Sequence, residues 1–148
     1  MTEEALANHP RQKLTFYPDN LAKFQEDSVQ RALFSDLQNQ RHWQISPPLP
    51  FHNDTAKTKA IVGGYLEIYS ATDPLSLPES VDRGHFEEVK LLLNRLCEVS
   101  KSHGITFELE LEDIYVGAIE KGRMNTSLTE GFLSEWESGL KHRDKLFQ

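Results

Sequence analysis

The sequence predicts an α+β domain, with an antiparallel β-hairpin in a small sheet of at least three strands and two or three helices packed mainly on one face. Three observations predict it. Apolar and polar residues alternate from Ile105 onward, the period of half-buried strands. Phe86, Val89, Leu92, Leu93, Leu96 and Cys97 form one broad stripe at helical spacing. Residues 60–70, AIVGGYLEIYS, are rich in β-branched and aromatic side chains. At 148 residues, 38% hydrophobic and 26% charged, the chain suffices for one core without disulfides or metal.

Residues 1–12 read as a polar tail and 13–148 as a single domain. LTFY (14–17) is a candidate strand, punctuated by Pro18-Asp19. Leu21, Phe24, Val29, Ala32, Leu33 and Leu37 space a helix from Asn20 to about Arg41, capped by Asp19 or Asn20, with Phe34 to the side of the stripe. Residues 42–58 form a proline-rich connector. Pro47, Pro48 and Pro50 lack backbone donors, which argues against a place inside a sheet.

In the strand at 60–70, Leu66 and Ile68 face the core and Tyr65, Glu67 and Tyr69 the other side. Gly63-Gly64 marks a bulge or a close backbone approach; the other glycines and the lysine of a phosphate-binding loop are missing. A loop over 71–84 leads to the strongest helix, from His85 to His103. Ser80 or Asp82 serves as its cap, Glu87 and Glu88 suit its positive end, and Gly104 is its left-handed stop.

The hairpin follows. Ile105, Phe107, Leu109 and Leu111 share one face, and the next apolar set, Ile114, Val116 and Ala118, is one residue out of phase. A two-residue loop at Glu112-Asp113 explains the slip by pairing 111 with 114, 109 with 116 and 107 with 118. Lys121-Gly122 is a second turn. Asn125, Thr126 or Ser127 caps a final helix whose apolar face is Leu128, Phe132, Leu133, Trp136 and Leu140, with HRDKLFQ frayed at its end. If LTFY and WQIS are both strands, the order from residue 14 is βαββαβ with an appended hairpin strand and helix, a ferredoxin-like sandwich.

Charge narrows the function. A net charge of −7 disfavours nucleic acid as a partner. Residues 104–138 hold eight acids against Lys121 and Arg123, whereas the first 53 residues are nearly balanced. No apolar run approaches the roughly 18 residues of a membrane span. The first ten residues lack the pattern of a signal peptide, and the single cysteine cannot bridge internally, so a cytoplasmic setting is expected.

Catalytic signals are weak. His85 and Glu88 lie three apart on a helix and form the best metal-ligand pair, with His52 and Asp54 as a loop contribution, but HExxH and paired CxxC spacings are missing. Cys97 sits on an apolar stripe and is expected to be inert, and there is no GxSxG elbow. Neither a catalytic residue nor a cofactor is assigned. What remains is a sheet face where Tyr65, Glu67, Tyr69, Glu108, Glu110 and Tyr115 mix acid and aromatic groups, a composition suited to a basic protein surface. The expected function is a non-enzymatic binding or regulatory module, such as an immunity-type inhibitor. The alternatives are a small metal-dependent hydrolase using His85 or Glu88, and a homodimer joined through the tyrosine face.

Overall fold

The computed structural model describes residues 6, 8–52, 61–70 and 77–146. Among them, six strands are found: β1 Arg11–Pro18, β2 Leu49–His52, β3 Ile61–Tyr69, β4 Phe107–Leu111, β5 Ile114–Glu120 and β6 Arg123–Met124. Helices are α1 Leu21–Phe24, α2 Asp27–Gln40, α3 Glu79–His103 and α4 Ser134–Leu146, the last entered through a π-helical run, Ser127–Leu133. The strands form one antiparallel sheet in the order β2-β3-β1-β4-β5-β6. The first four strands with α2 and α3 are a βαββαβ unit, and β5, β6 and α4 extend it.

The second strand is LPFH rather than WQIS and lies inside the expected connector. The prolines hid it: β2 is an edge strand paired only with β3, and an edge position tolerates Pro50, which sits opposite Gly64. Ahead of β2, Trp43 is also packed into the fold: it is buried and its indole N–H donates to Leu37 O at 2.9 Å. The expected tail is likewise too long, because Arg11 and Gln12 pair with Tyr69 and Ile68.

One face of the sheet carries the core. Leu14, Phe16, Leu66, Ile68, Phe107, Leu109 and Ile119 are buried beneath Val29, Leu33 and Leu37 of α2 and Val89, Leu92, Leu93 and Leu96 of α3. At its centre the rings of Phe16, Phe24, Phe34 and Phe107 pack with centroids 6.0–6.5 Å apart, mostly edge to face. Burying each such ring contributes about 1.5–3 kcal/mol, and the edge-to-face geometry adds to it. Gly64 makes room for this cluster: a Cβ there would stand 2.4 Å from Phe16 Cζ and 2.9 Å from Phe34 Cζ. The glycine pair is thus a close approach, and a ladder irregularity lies beside it, since Phe51 pairs with Gly63 and His52 with Ile61, leaving Val62 of β3 as the extra residue.

The hairpin turns at Glu112-Asp113, with φ values of +49° and +67°, the two positive angles of a type I′ loop. Glu112 holds this uncommon conformation while its Oε1 accepts the Lys13 N–H at 2.7 Å and its own N–H donates to Lys13 O at 3.1 Å. Pairing starts as expected, Leu111 with Ile114, but a bulge intervenes between Leu109 and Glu110. Leu109 therefore faces Gly117 and Phe107 faces Ile119, so Ile119 is buried and Ile114 is 69% exposed. Simple alternation had placed Ile114, Val116 and Ala118 in the core. Gly117 permits the shift: its φ is +151°, and a Cβ would meet Leu128 Cγ at 2.4 Å. The Asn125 Oδ1 accepts the Ala118 and Leu128 N–H groups, tying the bulge to the start of the last helix.

Helix α3 begins at Glu79, inside the expected loop, and neither Ser80 nor Asp82 caps it; Pro78 takes that position. Gly104 ends it at φ +65°, as expected. Asn20 caps α1 by accepting the Lys23 N–H at 3.1 Å. The expected fraying of HRDKLFQ is corrected over 142–146, since α4 runs to Leu146 and Arg143 within it is buried.

Candidate interaction surface

With every helix on the core face, the opposite face of the sheet is bare among the described residues. Register sets its side chains in rows. Leu49, Tyr65, Thr15, Glu110 and Tyr115 are successive partners across β2, β3, β1, β4 and β5. Four strand spacings make this row about 19 Å long. In the next row Phe51 lies opposite Gly63, and Tyr17 pairs with Glu108. Tyr17 and Phe51 meet edge to face across the glycine, with centroids 6.2 Å apart. The face is thus divided: Leu49, Phe51, Tyr17 and Tyr65 form an aromatic half beside an acidic half of Glu108, Glu110 and the Asp113 tip.

Five of the six residues assigned from sequence, Tyr65, Glu67, Glu108, Glu110 and Tyr115, meet here. Tyr69 does not join them. It is buried at the end of β3, its ring against His9 at 6.0 Å and His85 at 5.6 Å.

Two bases that the sequence reading passed over temper the acidity. Arg11 pairs with Glu67 at 3.2 Å, and Lys13 Nζ lies 4.9 Å above the Tyr65 ring. Both are exposed contacts of small energetic weight. Glu108 and Glu110 have no ion-pair partner among the described residues. Their field is felt locally: burial, then the charges of Glu110 and Asp113, push the Tyr17 phenol above its ordinary value, against a lowering hydrogen bond from Thr15. The Tyr115 hydroxyl accepts from Asn125 Nδ2 at 3.0 Å, which fixes the ring at the border of the acidic half.

The metal candidates have a different place. His85 and Glu88 are fully buried. His85 Nε2 accepts the Tyr69 N–H at 3.2 Å, which assigns the proton to Nδ1, and Nδ1–H donates to Glu88 Oε1 at 2.8 Å. Glu88 Oε2 accepts the Gln44 N–H at 2.7 Å. The pair thus joins the end of β3, α3 and the 42–46 segment, with both ring nitrogens and both carboxylate oxygens engaged. The described residues contain no group of three or more His, Cys, Asp or Glu able to hold a metal; Asp54 lies outside them. Cys97 is half-buried rather than buried, and burial, followed by the Glu98 charge, raises its thiol. No helix of the described residues is long and apolar enough to cross a membrane.

Sequence reasoning missed Leu49, Phe51 and Tyr17 on the open face. It also missed a buried ion pair between Asp82 and Arg143 on the helical side. The alternation of LTFY did contain the signal for Tyr17, as Leu14 and Phe16 face the core and Thr15 and Tyr17 must face away. Nothing local signals Arg143.

No protein-family model, curated protein or solved structure matches the chain.

Proposed function

We propose that the protein is a non-enzymatic binding module that engages a basic protein surface through the open sheet face, as an immunity-type inhibitor would. The observation that carries this reading is a six-stranded sheet with its helices on one side and, on the other, exposed Leu49, Phe51 and Tyr115 around Glu108 and Glu110, which have no ion-pair partner among the described residues. Leu49 and Phe51 are each 39% exposed and Tyr115 51%, so three of the five large apolar side chains most open to solvent stand on this face. Aromatic anchors beside unpaired charge combine desolvation energy with electrostatic steering. The acids specify the sign of the partner, and the aromatic half supplies the anchor.

The immobilised protein is used to capture partners from its native cell extract, beside a Glu108→Lys/Glu110→Lys variant. The reading expects a basic protein retained at low salt, released as salt rises, and lost from the variant. Equal retention by both proteins would overturn it. Capture of a second copy of the chain, with a two-chain mass by light scattering, would replace it with the homodimer.

A further inference from the structure

The aromatic and acidic halves of the open face meet at Thr15. Its partners across the ladder are Tyr65 on β3 and Glu110 on β4, whose Cβ atoms therefore stand about 10 Å apart, two strand spacings. Along β1 the same face continues with Lys13 on one side and Tyr17 on the other. Threonine is the smallest of these five side chains, so it forms the floor of a hollow with four walls: an aromatic ring, a carboxylate, a phenol and a lysine. The Thr15 side chain hydrogen-bonds the Tyr17 phenol, so the phenol oxygen is turned toward the floor.

The lysine wall shows what the hollow takes. Glu67 lies directly opposite Lys13 and is the natural partner for its ammonium. Glu67 is instead paired with Arg11 at 3.2 Å, and Lys13 Nζ turns to the Tyr65 ring, 4.9 Å from its centroid. One exposed cation–π contact holds a lysine weakly. Neither Lys13 nor Glu110 has an ion-pair partner among the described residues. The hollow thus carries a displaceable cation on its aromatic side and an unneutralised carboxylate on its acidic side.

The walls choose the class of guest. An anion is repelled by Glu110, and a neutral apolar group gains nothing from it. A side chain with an apolar stem and a cationic head uses both sides. We infer that this hollow seats one lysine side chain of the basic partner, its stem across Thr15 and its ammonium between Tyr65 and Glu110, and that Lys13 is the resident cation it displaces. The assignment rests on the open face being the docking surface, and it names the point of entry on that face.

Hexalysine at low salt is the probe, titrated into carbon-labelled protein and followed by NMR. In the free protein the Lys13 Hε signals carry an upfield ring-current shift from Tyr65, and hexalysine should return them toward their ordinary position as binding saturates. Lys13→Gln vacates the seat and also removes a positive charge, so it should tighten hexalysine whether or not Tyr65 is present. The gain should be about two- to fivefold larger with Tyr65 in place than in a Tyr65→Leu background, where only the charge effect is left. Equal gains in the two backgrounds, Lys13 Hε signals unmoved at saturation, or no saturable binding would overturn the seat. Loss of hexalysine binding in Glu108→Lys/Glu110→Lys would at the same time leave the acidic face standing. Undiminished binding by that double variant would overturn the face and the seat together.

Discussion

The most demanding consequence of the structure concerns Asp82→Asn. The change keeps the shape of the side chain and removes its charge, leaving the Arg143 guanidinium 4% exposed with no carboxylate opposite it. The Trp136 N–H retains an amide oxygen to donate to, so the loss falls on the ion pair. Removing one partner of a buried pair costs about 3–5 kcal/mol. At about 2–4 °C per kcal/mol for a chain of this size, Tm should fall by about 6–20 °C. The double variant Asp82→Asn/Arg143→Met removes the stranded charge as well. It should recover most of the loss, because no uncompensated charge is then left buried. Urea unfolding followed by tryptophan fluorescence gives both values, and the two single variants with the double close the thermodynamic cycle. A loss below about 1 kcal/mol for Asp82→Asn, or a double variant worse than either single, would refute the buried pair and its geometry.

Three further outcomes follow from contacts elsewhere. Glu88→Ala strands one buried donor, His85 Nδ1–H, and takes the acceptor from the part-buried Gln44 N–H, and should cost about 1–3 kcal/mol in the same unfolding assay. Gly117→Ala places a methyl 2.4 Å from Leu128 Cγ at a φ of +151°; about 2–4 kcal/mol is expected, with increased amide exchange across β5 and the start of the last helix. Tyr17 ionises above its ordinary 10.0 because burial and nearby acids favour the neutral phenol. A raised folded value means that its share of stability is complete below pH 10.0 and lost as pH rises through the folded value. Tyrosinate absorbance compared with a Tyr17→Phe variant should assign a late titration to Tyr17, and Glu110→Gln should bring it down.

What sequence could reveal was set by the range of the interactions. The stripe of α3 and the period of β4 are local, and so was the pairing of Leu111 with Ile114. The bulge was not local in that sense, because alternation carries no mark of one extra residue. Only Gly117, buried against Leu128 from the following helix, gives the reason for it. Strand β2 was concealed because Pro50 is unfavourable in a sheet interior and tolerable on an edge, and sheet order alone tells which applies. On the open face, Glu108 and Glu110 followed from strand periodicity, whereas Arg11 fell in the expected tail and Lys13 just after it. Their approach to Glu67 and Tyr65 depends on the β1–β3 register. The His85/Glu88 pair was legible as a pair, but its burial depends on Gln44 and Tyr69 closing over it. Asp82 and Arg143 are 61 residues apart and meet only when α4 returns to the start of α3.

The bearing of Glu108 and Glu110 on function is now specific. Their spacing keeps Phe107 and Leu109 inside, Glu112 braces the turn, and the free carboxylates stand beside an aromatic half that no described residue covers. The most direct measurement is hydroxyl-radical footprinting of the protein alone and with the captured basic partner. Leu49, Phe51, Tyr65 and Tyr115 should lose labelling in the complex. Leu21, 42% exposed on α1 and on the helix-bearing side, should label equally in both. Protection of Leu21 with the sheet face unchanged would contradict the account.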